Sequence, residues 1–164
     1  MKLQAGDRIH YGASGVMEVL SPDSLLLTQL TTENAKSLVI KLSGCGADAI
    51  LAADIDSLTE QSLLAWDVYL EAELLKIAHH GSKSSTCGRF LDAVSPEIAV
   101  ISAGPLNRFS HPYPDVVTRL TDHNIAVYST VRSGSLTFSN RNGRWNYIES
   151  PARKLIRQWK LDHV

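Results

Sequence analysis

Leu74-Leu75-Lys76-Ile77-Ala78-His79-His80-Gly81-Ser82 is the stretch on which the reading of this chain turns. Its first five residues read as a short strand, and the apolar run then breaks into two adjacent histidines. A glycine after them lets backbone come close to a ligand, and Ser82 offers a hydroxyl. Histidine is the commonest metal ligand, which favours a functional reading over two ordinary loop histidines. One strand earlier, Ala49-Ile50-Leu51-Ala52-Ala53 is a continuous apolar run ending at Asp54. Such a run suits a strand buried on both faces. One strand later, Glu97–Ala103 leads into a loop from Gly104 to Tyr113 that holds Asn107 and His111. Three polar clusters thus follow three consecutive predicted strands. In layered α/β proteins ligands collect beyond the C-terminal ends of strands, so neighbouring parallel strands would bring all three to one rim.

The remaining chain agrees with an α/β layer architecture. Arg8–Tyr11 and Val16–Leu20 read as strands around a Gly12-Ala13-Ser14-Gly15 turn, and Ser37–Leu42 as a third strand. Ser57-Leu58-Thr59-Glu60 has capping-box form, which predicts a helix from about Leu58 to Leu70. A short helix is expected near Gly88–Val94. Pro114 suits the first turn of another reaching about His123. Ile125–Thr130, Ser135–Ser139 and Arg144–Glu149 read as closing strands, and Ala152–Lys160 as a final helix.

At 164 residues the chain suits one domain. Its 44% hydrophobic and 20% charged residues supply a core and exclude a disordered polyelectrolyte. The longest apolar runs fall well short of the roughly 18–20 residues that cross a bilayer. The N-terminus turns polar at once, so no signal peptide is expected. Charge is unevenly placed. Residues 1–75 carry eleven acids and four bases, whereas residues 76–164 carry twelve bases and six acids. Six bases lie between Arg141 and Lys160, which suits either a polyanionic partner or a solvated basic helix. Cys45 and Cys87 form neither CxxC nor zinc-finger spacing, so no disulfide framework is implied and the compartment stays open.

The carboxylate and imidazoles form a zinc or manganese ligand set. Asp54 could equally cap the helix that follows, and His111, between Ser110 and Pro112, could be a surface turn residue. His10, His123 and His163 have no such context and read as structural or solvated.

Several segments together carry a family resemblance. They are Ser37–Ile40, Ala53-Asp54-Ile55, Glu60–Leu64, Leu75–Lys83, Ala99–Gly104 and Asn107-Arg108-Phe109-Ser110-His111-Pro112. The combination resembles the second half of the metallo-β-lactamase-fold domain of ComEC-type DNA-internalisation competence proteins, from about Gly6 to Phe138. The resemblance implies an αββα sandwich with a metal site along one rim. It implies a half-domain over residues 1–150, with residues 151–164 as a basic helix. It implies Asp54 and one of His79 and His80 as metal ligands, with His80 taken as the ligand and His79 as a neighbour contacting substrate or supporting the shell. His111 would face a scissile phosphate, with Ser82 and Asn107 on the substrate side. Asn34 matches an asparagine of the family's N-x-x-S-L run. The implied cofactor is zinc or manganese, as one or two ions. The implied reaction is hydrolysis of a DNA phosphodiester by a metal-activated water. The alternative is a degenerate DNA-binding or scaffold module.

Two departures matter. The family's first half carries H-x-H-x-D-H, and no H-x-H occurs in this sequence. The glycine that usually precedes the metal-binding Asp is Ala53. These predict half a sandwich that needs its missing N-terminal half or another chain, with an incomplete binuclear site.

Overall fold

A computed structural model describes residues 2–24, 32–66 and 68–149. Seven strands form one sheet in sequence order: β1 (Arg8–Tyr11), β2 (Gly15–Ser21), β3 (Val39–Ser43), β4 (Ala49–Leu51), β5 (Leu74–Lys76), β6 (Ile98–Ile101) and β7 (Ala126–Ser129). β1 to β4 pair antiparallel. β4 to β7 pair parallel, as crossover helices require. Those helices are α1 (Ser57–Ala65), α2 (Gly88–Val94) and α3 (Pro114–Asp122). A single turn, α4 (Thr130–Ser133), follows β7 and has no counterpart among the expected elements. β8 (Thr137–Arg141) and β9 (Arg144–Ile148) form a separate hairpin. The expected final helix lies outside the described residues. Among the described residues no helix is long and apolar enough to cross a membrane.

The two faces of the sheet follow from the pairing register. Ile50, Leu75 and Ala99 stand side by side on one face and are fully buried. Leu63 of α1, Phe90, Leu91 and Val94 of α2, and Val116 and Leu120 of α3 complete that core. The neighbouring row, Ile40, Leu51, Lys76 and Val100, lies on the opposite face and is only half-buried. The β8–β9 hairpin lies on this second face. Phe138 and Tyr147 pack on Tyr128 at ring separations of 5.2 Å. Trp145 donates its indole N–H to the Asp48 carbonyl at 2.8 Å, and Asn140 donates to the Gly44 and Ala47 carbonyls.

Helix α1 differs from its expected form at both ends. Asp56, not Ser57, is the N-cap, with its carboxylate accepting from Leu58 and Thr59 N–H. Glu60 does not close a capping box. Its side chain turns inward, is fully buried, and accepts from the N–H groups of Thr86 and Cys87. The helix ends at Ala65 rather than near Leu70. The stretch that follows is held by Lys41, a buried β3 lysine whose Nζ donates to the carbonyls of Tyr69 and Glu71 and pairs with Asp48 at 3.1 Å. Those carbonyls serve a buried cation and are not available to a helix ladder.

Candidate functional site

The three loops after β4, β5 and β6 meet at one rim, because these strands are adjacent and parallel. Backbone bonds stitch them together. His79 N–H donates to the Ala53 carbonyl and Tyr113 N–H to the Gly81 carbonyl, both at 2.9 Å. Gly81 has φ +85, and a Cβ there would lie 2.7 Å from Cβ of Pro112. Only glycine lets the double-histidine turn approach the His111-Pro112 segment this closely. His79 and His80 both take left-handed backbone, with φ 47 and φ 57. Two such non-glycine residues in a row are uncommon, and strain of this kind gathers at functional sites. The turn sends the two rings apart, 6.4 Å between centroids at 65°.

His80 and Asp54 form the centre of the rim. The Nδ1 of His80 lies 2.6 Å from the Ser102 carbonyl, just past β6. A carbonyl accepts only, so Nδ1 carries the proton and Nε2 of the neutral ring presents a lone pair. That Nε2 stands 3.5 Å from Oδ1 of Asp54, with both side chains open to solvent at 45% and 43%. A backbone carbonyl fixing one ring nitrogen while the other faces a ligand is how metal-bound imidazoles are oriented. Two donors on one tetrahedral zinc stand about 3.4 Å apart, given bonds of about 2.1 Å. The Asp54–His80 separation therefore fits two positions of a metal shell. Among the described residues no group of three or more His, Cys, Asp or Glu side chains is placed to hold an ion.

His79 points instead at His111, with ring centroids 5.8 Å apart. The Nδ1 atoms of both are buried and have no hydrogen-bond partner. Burial pushes the His111 imidazole below its ordinary pKa, and the neighbouring His79 and His80 push it further. His111 is therefore neutral at pH 7. His80, Asn107, Phe109 and His111 line a cleft of about 200 Å³. Asn107 shapes this loop: its amide donates to the Gly104 and His111 carbonyls and its oxygen accepts the His111 N–H at 2.8 Å. The Ser82 hydroxyl faces inward, 8% exposed, and meets the Ser84 hydroxyl at 3.1 Å. Asn34 opens a 3-10 turn (Asn34–Lys36) next to α1, and no hydrogen bond joins it to the rim among the described residues.

Asp54 does not cap α1, because Asp56 does. His123 is structural, bonded to the Arg119 carbonyl and 3.3 Å from Asp92. His10 lies exposed on β1, and His163 lies outside the described residues. One rim residue the sequence reading passed over is Lys76. Its Nζ donates to the Ala53 carbonyl at 3.3 Å. Burial lowers its pKa, and the Asp54 carboxylate raises it in part. The signal was present in the sequence: a lysine inside an apolar strand, three residues before a double histidine. Ala53 itself has φ 46, so the glycine usual in the resembled family answers a left-handed backbone.

No family model matches the chain. It is 35% identical over 124 residues to ComE operon protein 3 of Bacillus subtilis, which covers 76% of this chain and 16% of that protein. It is 38% identical over 112 residues to competence protein ComA of Neisseria gonorrhoeae, covering 68% of this chain and 16% of that protein. It is 30% identical over 119 residues to recombination protein 2 of Haemophilus influenzae, covering 73% and 14%. The chain thus spans about one sixth of the length of the curated relatives it matches. Among solved structures, a protein from Parabacteroides distasonis assigned as a metal-dependent hydrolase aligns with a TM-score of 0.49 and 14% identity, over 77% of this chain and 56% of that one.

Proposed function

We propose that this chain, a homologue of the ComEC-type competence proteins over about 70% of its length, forms part of a metal-dependent phosphodiesterase acting on DNA. The observation that carries the reading is the Asp54–His80 pair, set 3.5 Å apart with His80 oriented by the Ser102 carbonyl. Asp54 and His80 would hold the ion. A zinc or manganese ion there supplies Lewis acidity to a phosphoryl oxygen. The chain's own groups do the rest. The cleft between His80 and His111 takes the phosphodiester. Neutral His111 donates an N–H hydrogen bond toward the phosphoryl oxygens as charge develops. His79 holds the His111 ring from behind. Lys76 adds positive charge beneath Asp54. The basic stretch from Arg141 to Lys160, of which Arg141 and Arg144 lie in the described hairpin, gives salt-sensitive affinity for DNA.

Two ligands are fewer than the three protein ligands usual for catalytic zinc. The remaining ligands come from a preceding half-domain bearing H-x-H-x-D-H, seated against the half-buried row Ile40, Leu51, Lys76 and Val100. The test compares phosphodiester hydrolysis, with manganese or zinc, by this chain and by a version extended upstream. The expected result is poor turnover by the chain alone and metal-dependent turnover by the extended version, lost with Asp54→Ala. Equal turnover by both would show that the rim is complete as it stands. A second reading, a non-catalytic DNA-binding module, is favoured by the absence of a third donor among the described residues. Absence of turnover in both versions would select it.

A further inference from the structure

The layer of helices over the sheet stops one strand short. Ile50, Leu75, Ala99 and Val127 form one cross-strand row over β4 to β7. The first three are fully buried, whereas Val127 is 36% exposed. β7 is also the end of the sheet, and among the described residues it pairs with β6 alone. Beside it runs a mostly apolar groove of about 450 Å³, walled by Pro112, Val117 and Thr121 of α3, Ile125, Val127 and Val131 of α4. Apolar surface and an unpaired strand edge are the two features that proteins usually cover, often with a helix.

The sequence beyond β9 has the complementary form. Ala152, Leu155, Ile156 and Trp159 recur at i, i+3, i+4 and i+7, which is the apolar stripe of an amphipathic helix. Arg153, Lys154, Arg157 and Lys160 fall on the opposite side of that helix. Ser150-Pro151 ahead of them suits a helix start. The distances agree. Ile148, at the end of β9, pairs with Thr137. Only Gly134, Ser135 and Leu136 separate Thr137 from α4, whose Val131 is part of the groove wall. Four residues of chain reach at most roughly 14 Å, so the described chain ends close to the groove. A helix of nine residues is about 13 Å long, as is a strand of the length of β7.

We propose that residues 152–160 of this chain form a further helix of the layer, seating Leu155, Ile156 and Trp159 in the groove along β7 and turning the four bases to solvent. An apolar face carried on the same chain meets the groove at high effective concentration, which favours it over a separate partner. The four bases then stand as one outward array beside the sheet, open to a polyanion. The inference goes beyond the hydrolytic reading and needs no metal.

The experiment is hydrogen–deuterium exchange on the full chain, followed by mass spectrometry, without metal or lipid and at two well-separated protein concentrations. A lone helix of this length is marginal in water, so protection of its amides reports docking. Amides of residues 152–160 should exchange at least about tenfold more slowly in the parent than in Trp159→Asp. Val127→Asp, in the groove, should remove the same protection while β4 to β6 exchange as in the parent. Thr121→Arg should do so too, and its exposed position keeps this variant folded if Val127→Asp is not. Arg157→Gln, on the opposite side of the helix, should leave the protection in place. Fast exchange of residues 152–160 in the parent overturns the proposal, as does protection that survives Thr121→Arg. Protection that falls on dilution would make the occupant a second copy of the chain. Protection that appears only with vesicles of anionic phospholipid would make the segment a membrane-surface helix. Either result overturns the proposal as well.

Discussion

Two carboxylates six residues apart show how differently this fold treats its polar groups. Glu60 is fully buried on α1, and each of its oxygens accepts a backbone N–H from the loop ahead of α2. Arg119 of α3 takes the Thr86 carbonyl of the same loop at 2.6 Å. This clamp lies behind the rim, with the buried Thr86 hydroxyl in it left without a hydrogen-bond partner, and burial raises the Glu60 pKa despite the N–H groups that pull it down. Asp54 is 43% exposed, faces one imidazole, and leaves its remaining lone pairs to whatever enters. His79 and His111 add buried ring nitrogens without partners. Glu60 thus serves the frame, its oxygens committed to backbone N–H groups, while Asp54 stands at the rim open to solvent.

The contrast is sharpest in stability. Glu60→Ala leaves two buried N–H groups unpaired and frees the loop from α1. Its expected cost is about 3–5 kcal/mol, read by urea unfolding. Asp54→Ala should change stability by less than about 0.5 kcal/mol, because its solvent-exposed carboxylate makes only a screened contact with His80. Similar costs for both would erase the distinction between frame and site.

A smaller effect runs the other way. Ala53 holds a left-handed φ of 46 directly ahead of Asp54. Ala53→Gly should relieve that strain and stabilise the chain by up to about 1 kcal/mol, against the usual sign for a glycine substitution. A destabilised Ala53→Gly would mean that the rim backbone is not strained there.

The smallest effect is electrostatic. His111 has its folded pKa below the unfolded value of 6.5. The unfolded chain therefore binds more protons just below that pH. Stability attributable to neutral His111 is complete above about pH 6.5 and falls as pH drops toward the lowered folded pKa. His111→Asn should flatten this dependence. An unchanged slope between pH 5 and 7 would place His111 in contact with water.

The parallel half of the fold was legible in the sequence, since apolar runs leading to Asp54, His79-His80 and the Asn107–His111 loop mark three strands, each ending two residues earlier than the apolar run suggests. Their convergence needed one further fact, that β4, β5 and β6 are adjacent and parallel, and the structure supplies it. The form of α1 was less legible. Asp56 and Ser57 are both good caps, and only the tertiary position of Glu60 decides between them. Its acceptors meet N–H groups 26 and 27 residues away, a pairing that local spacing does not encode. Lys41 is the same kind of case, since it looks like an ordinary strand lysine until its carbonyl partners 28 and 30 residues on are seen. The roles of Ser82 and Asn107 in holding their loops were likewise not readable from residue type.

The central claim is that Asp54 and His80 share one divalent ion, and calorimetric titration of zinc and of manganese tests it directly. Parent, Asp54→Ala and His80→Ala chains are compared at pH 7, with His123→Ala as a control from the frame. The account predicts at least about tenfold weaker binding in each rim variant, since removing a ligand costs no less than the roughly 10–100-fold typical of residues that merely support one. It predicts parent affinity in the control. Parent affinity in both rim variants would contradict it.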